Sequence, residues 1–465
     1  MLSESEIKTQ IGDMWTLHLN ERAWLDRLYD YSKGLRGIPE VPEGALQEVK
    51  DIARLSVKNV LGMVRDSFAQ NLSVIGYRRA TALENDPAWK MWQRNRMDAR
   101  QAEVYGPALT YGAAYVTVLP GEHGPVFRPR SPRQLLATYV DPQLDEWPQY
   151  ALETWIDQSD SKPRRKGYLL DDEFAYPLDL GHISSLPLDP TRTVPISVAE
   201  IGEPIAHGAV IDDAPVCPVV RFVNARDADD MIVGEVAPLL TDQQAINEVN
   251  FDRLIVARFG AFPQRVITGW SGTAGEVLKA SASRVWTFED PEVKAATLAP
   301  ASLEGYNALL EEMIATVAMK AQISPAQVVG KMVNLSADAL AAAEKKEQRK
   351  LAAKREAFGE SWEQVLRLGA AIDGDEETAI DSGAEVIWRD TEARSFGAVV
   401  DGLTKLANVG IPIDALLPMI PGMTQQQIVG VQNALRSRQV TSLVDELRRR
   451  SSLTPAVPVA DALTG

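Results

Sequence analysis

The sequence predicts an α+β protein, with a mixed α and β domain followed by helix, small β unit, helix, loop and long helix. Three observations predict it. Apolar residues recur at helical spacing in several long windows. The stretch "AAYVTVLPGEHGPVFRPRSPRQLLATYVDP", residues 113–142, breaks into short β-rich runs between Gly and Pro turns. Cap signals stand at the starts of the later helices.

In chain order, Ile7, Ile11, Met14, Trp15, Leu25, Leu28 and Tyr29 predict a helix over residues 3–31, and "KGLRGIPEVPEG" ends it. Residues 45–112 read mainly as helix, and the mixed domain extends from about 45 to 225. Within it "QSDSKPRRKGYLLDDEF", residues 158–174, reads as an exposed hairpin or loop. "TDQQ" reads as a capping box between Thr241 and Gln244, opening a helix to about Gly260. That helix would be about 30 Å long. "AFPQRVITGW" and "SRVWTFED" read as two strands of a small β unit. A second helix from about Leu303 carries Tyr306, Leu310, Met313 and Val317 on one face, expected to meet only the partner helix. Ser324, Pro325 and Gln327 then supply a cap, a first-turn proline and a capping partner.

After a loop, Ser336 caps a helix that continues to about Ala371, roughly 50 Å by the same rise. Leu351, Phe358, Trp362 and Val365 form its apolar stripe. Lys345, Lys346, Arg349, Lys350, Lys354 and Arg355 read as a solvated face balanced by Glu344, Glu347 and Glu356. A last helix follows Thr424, with a T-x-x-Q box to Gln427, and residues 451–465 read as a loose end.

The composition excludes several functions. A net charge of −16 argues against a tight, general nucleic-acid binder, because such affinity comes from Lys and Arg displacing counterions. One cysteine, Cys217, excludes an internal disulfide framework and fits a reducing compartment. "MLSESEIK" has neither a basic nor an apolar signal region, and no apolar run reaches the 18 residues of a membrane span. A soluble, intracellular chain with no membrane partner is the expectation. His18, His123, His182 and His207 lie too far apart to read as metal ligands or a catalytic pair, and no G-x-S-x-G elbow appears. The acidic run 373–385 fails the calcium-loop pattern because Thr378 stands where glycine is required, and it reads as a solvated loop. "VVGKMVNLSADALAAAEKKEQRK", residues 328–350, imitates a phosphate loop but has Pro325 for the first glycine and Met332 for the hydroxyl residue. No catalytic residue, metal or cofactor is expected.

The chain resembles the portal proteins of tailed bacteriophages over most of its length. The resemblance rests on "LYDYSKGLRG", "NRMDARQAEVYGPALTYGAAYVTVLPG", "RSPRQLLATYVDP", "FGAFPQRVITGW" and "QISPAQVVGKMVNLSADALAAAE", in that order. It implies a portal-like fold with wing, helical stem, small β clip, long helix and helical crown. By position, 1–235 would form the N-terminal helix and wing, 236–260 and 303–323 the stem helices, and 261–302 the clip. Residues 324–371 would be the tunnel loop and long helix, and 372–465 the crown and tail. The resemblance also implies a self-assembled ring, typically of twelve copies, at a capsid vertex of the virion. Implied partners are the major capsid protein, a terminase motor, a head-tail adaptor and double-stranded DNA passing without sequence readout. Gly330, Lys331, Met332, Val333 and Asn334 would face that DNA, and Trp270 and Trp286 would contact clip partners or form a local core. Another head-tail ring protein is the alternative within the same class; a cytosolic enzyme is the alternative from a different one.

Overall fold

The computed structural model describes residues 1–79, 86–159, 162–183, 196–260, 302–324 and 345–389 with their side chains. It also describes Thr391, the backbone of 265–268, 294–297, 337–344 and 396–400, residues 401–412, and short pieces between 416 and 437.

Helix α1 (Glu4–Ser32) opens on a capping box: the Ser3 side chain accepts from the Glu6 amide while Glu6 accepts from the Ser3 amide. Ile7, Ile11, Met14 and Trp15 are buried against one face of a six-stranded sheet, as the helical spacing requires. The chain then turns through Gly37 at φ +79, where a Cβ would lie 2.9 Å from the Asn247 side-chain amide.

Helices α2 (Gln47–Leu55), α3 (Val60–Ala69), α4 (Trp89–Arg94), α5 (Met97–Arg100) and α6 (Ala102–Tyr111) build the helical half of the mixed domain. Strand β1 (Val74–Arg78) lies among them. Gly112 at φ +98 ends α6 and turns the chain into β2 (Ala113–Leu119), where a side chain would meet Ile232 and Val233. Strand β2 pairs with β3 (Val126–Arg130) and with β12 (Val219–Val223), and all seven of its residues are buried. The larger sheet runs β4 (Leu135–Thr138), β5 (Tyr150–Asp157), β6 (Arg164–Leu170), β7 (Phe174–His182) and β8 (Glu200–Ile201), with β9 (Ile205–Ala206) also on β7. The polar stretch 158–174 contains β6, which pairs antiparallel with β5, so the hairpin part of the expectation holds; the exposed part does not, because Arg165, Leu169, Leu170 and Asp171 are buried in an inner strand. A short hairpin, β10 (Val210–Ile211) with β11 (Ala214–Pro215), precedes β12.

Helix α7 (Leu240–Gly260) follows a 3₁₀ turn at Ala237–Leu239. The helix therefore starts one residue before Thr241, which lies exposed inside it instead of capping it. The polar residues of this first part face inward: the Gln243 side-chain oxygen accepts from the Val60 and Leu61 amides at 3.0 and 3.2 Å. Helix α8 (Glu304–Ala321) runs antiparallel to α7, with Lys320 on Asp242 at 2.8 Å and Arg253 on Asn307 at 3.1 Å. Between them β13 (Arg265–Thr268) pairs antiparallel with β14 (Lys294–Thr297). The first expected strand of the β unit is confirmed, but its partner is "KAAT"; "SRVWTFED" lies outside the described residues. Leu310 and Val317 do not meet α7 alone, because they join Ile314, Ala318 and Ala321 in the main core beside α3.

The long helix α9 (Ala337–Asp373) enters that core. Leu351, Phe358, Trp362 and Val365 are all buried, as the stripe predicts. Trp362 stands edge-on to Trp92 and Phe222 and donates its indole N–H to the Tyr105 hydroxyl at 2.9 Å. After α9 the acidic run is largely exposed, as expected, but it is not a plain loop. Asp375 caps the short helix α10 (Glu376–Ala379), and Glu377, Asp381 and the buried Asp86 gather on Arg79. Strand β15 (Glu385–Trp388) then pairs with β1, and α11 (Phe396–Asn408) follows. The core is thus sealed by residues far apart in sequence.

Candidate functional site

The residues that the resemblance assigns to the channel, Gly330, Lys331, Met332, Val333 and Asn334, lie outside the described residues, as do Trp270 and Trp286. Residues 325–336 also lie outside the described ones; what the structure describes is the end of α8 before them and α9 after them. Helix α8 stops at Gln322, whose φ of 62° is left-handed, and the Ile323 amide reaches back to the Ala318 carbonyl at 3.0 Å. Ile323 and Ser324 are both buried, so the chain leaves from a fixed point. The Ser324 amide donates to the Glu347 carboxylate of α9 at 3.3 Å, and Glu347 is itself 4% exposed.

One turn further along α9, Lys350 Nζ donates to the Ala321 carbonyl at 2.9 Å, capping α8 with a positive charge where its dipole is negative. The same ammonium pairs with Glu235, which follows β12. Lys354, 4% exposed, donates to the other Glu235 oxygen at 2.6 Å and to Asn224 Oδ1 at 2.5 Å. Burial alone would raise the Glu235 carboxyl above its usual range, but the two lysines outweigh it and hold it below. For Lys354 the balance tips the other way: burial lowers the ammonium despite the attraction of Glu235. The cluster locks three elements together.

Lys350, Lys354 and Arg355 therefore leave the basic run that the sequence assigns to a solvated face. Arg355 donates to the Asn71 carbonyl at 3.0 Å and to Thr391 Oγ1 at 2.6 Å. Only Lys345, Lys346 and Arg349 of the six are exposed. A signal for this was available, since Lys354 sits three residues after Leu351 and four before Phe358, on the apolar stripe itself. Its partners, Asn224 and Glu235, are more than a hundred residues away and carry no mark in the sequence.

What this cluster does is tie the end of α8 to α9 and to Glu235. Among the described residues no group of three His, Cys, Asp or Glu side chains could hold a metal ion. Cys217 is fully buried, and burial pushes its thiol well up. No helix among the described residues is long and apolar enough to cross a membrane.

The described residues form a mixed domain joined to an antiparallel helix pair, a small β unit and a long helix tied to the end of that pair. Residues 56–436 match the family described as "Phage portal protein, SPP1 Gp6-like", and the chain belongs to that family. It is similar to the portal protein of Mycobacterium phage D29, 25% identical over 368 residues covering 74% of this chain and 71% of the relative. It is equally similar to the portal protein of Mycobacterium phage L5, 26% identical over 365 residues with the same coverage. A chain from the virion of a native gene transfer agent particle has a TM-score of 0.46 at 11% identity, covering 83% of this chain and 96% of that one. The family is structural, so the enzyme alternative falls.

Proposed function

We propose that the chain forms a ring of about twelve copies at a capsid vertex of the virion, through which double-stranded DNA is packaged and later ejected. The observation that carries this reading is the family match across 56–436, which spans both halves of the chain. In this reading α7 and α8 are the stem, β13 and β14 belong to the clip, residues 25–235 form most of the wing, and 372–465 form the crown. The order of α7, the β13–β14 pair, α8 and α9 supports it. The ring docks a terminase motor and a head-tail adaptor at the clip, where Trp270 and Trp286 supply aromatic anchors, and its wing meets the major capsid protein.

Residues 330–334 face the DNA. An acidic chain does not grip phosphate broadly, so the duplex slides. One Lys331 per copy makes a belt of positive charge that touches successive phosphates without reading bases. The buttress of Glu347, Lys350 and Glu235 supports this by fixing one end of the 325–336 segment.

Heads assembled without this chain should contain no packaged DNA, and DNA-filled heads would overturn the assignment. Lys331→Glu should leave rings intact and reduce packaged DNA; full heads from that variant would remove the DNA contact and keep the ring.

A further inference from the structure

Along one exposed face of α9 the charge changes sign. At 3.6 residues per turn, Lys345, Lys346, Arg349, Glu356 and Glu360 share an arc of about 100°, and all five are exposed. Only the exposed Ala352 and Ala353 lie between the basic group and the acidic one. The opposite side of the same turns is the buried one, where Glu347, Leu351, Lys354 and Phe358 pack.

The three exposed cations differ from those behind them. Lys350 and Lys354 are held by Glu235, and Arg355 by Asn71 and Thr391. Lys345, Lys346 and Arg349 pair with no carboxylate among the described residues, and Glu347, the acid nearest in sequence, is turned inward to the Ser324 amide. Like charges three and four residues apart weaken a helix, so this turn would gain from an anion supplied from outside the chain. The group also sits close to the 325–336 segment, since Lys345 lies about 12 Å along α9 from Ala337.

The chemistry of the face selects the anion. A protein partner would need a large apolar or aromatic anchor, and none of the exposed large apolar residues of the chain lies between 345 and 360. A phosphate backbone needs only charge, which lysine and arginine supply without reading sequence. Within about 10 Å of Arg349 the face turns acidic at Glu356, so attraction gives way to repulsion.

We propose that Lys345, Lys346 and Arg349 bind the phosphate backbone of duplex DNA, and that Glu356 and Glu360 confine this grip to the first turns of α9. The inference rests on the ring reading above and adds a contact that does not depend on Lys331. Each copy then holds the duplex over a short band of helix and lets it slide beyond.

The test counts DNA-filled heads assembled with variants of the full chain, while native mass spectrometry follows the rings. Lys345→Glu, Lys346→Glu and Arg349→Glu together should leave rings intact and lower the yield of filled heads about tenfold, because every copy loses its phosphate contacts. The charge-preserving set Lys345→Arg, Lys346→Arg and Arg349→Lys should rescue that yield. Glu360→Lys extends the positive band and should slow DNA release from filled heads. Intact rings with a wild-type yield from the triple Glu variant overturn the proposal and leave the ring reading standing. An equal loss in the charge-preserving set also overturns it, since packing and not charge would then matter. Absence of rings from the unaltered chain overturns the reading beneath it.

Discussion

The two halves of the helical assembly are built on opposite terms. Helix α9 is a core element: from Leu351 to Ala370 its inward side touches strands of both the mixed domain and the returning β15. The α7–α8 pair is buried at one end only. Leu240, Gln243, Ile246, Asn247 and Asn250 of α7, and Leu310, Ile314, Val317, Ala318 and Ala321 of α8, are its buried residues. At the other end Phe259 is 47% exposed, Leu309 is 44% exposed, and an exposed ion pair joins Arg258 to Glu48. A single chain stabilises α9 by itself, whereas the far end of the pair gains little from its own chain. That asymmetry fits the proposed assembly of several copies.

The contrast can be broken first where burial is deepest. Trp362→Ala should cost roughly 3–5 kcal/mol in urea unfolding, because it empties the centre of an aromatic cluster and strands the Tyr105 hydroxyl. A loss under a third of that would show that α9 is not a core element. Glu235→Gln leaves Lys350 and Lys354 facing each other without a carboxylate and should cost roughly 3 kcal/mol. Hydrogen exchange should then rise at Ile323 and Ser324 before it rises in β2. Uniform exchange would separate this cluster from the loop base.

Helix α1 carries a pH dependence of its own. His18 is held near 4 in the folded chain against an ordinary value of 6.5. The folded state therefore binds fewer protons than the unfolded one between those values. Stability from this residue is complete above pH 6.5 and falls by about 2–3 kcal/mol as pH drops to 4. His18→Gln should flatten that slope in denaturant midpoints, and an unchanged slope would assign it to the carboxylates. The smallest effect belongs to Phe259→Ser, which should alter chain stability by under ~0.5 kcal/mol yet weaken association.

The same asymmetry explains what was legible in the sequence. Helices α1, α8 and α9 were readable because each repeats apolar residues at helical period over many turns, whereas α7 was read from a capping box. The stripe of Leu351, Phe358, Trp362 and Val365 was readable for that reason. Thr241 misled because a 3₁₀ turn at Ala237–Leu239 already opens the helix, so no cap was needed there. Strand β14 hid because "KAAT" has little β propensity, and its pairing comes from the register with β13. The basic run misled for one reason. A charge looks solvated until its partner is known, and Glu235 sits far from Lys354 in the chain. The loop residues themselves, Gly330 to Asn334, were legible only through family resemblance.

Native mass spectrometry of the purified chain tests the central claim most directly. The account predicts closed rings near twelve times the 51.0 kDa subunit, and Phe259→Ser should shift them towards smaller species. A chain that remains a 51.0 kDa monomer at every concentration, alone and with capsid protein, would contradict it.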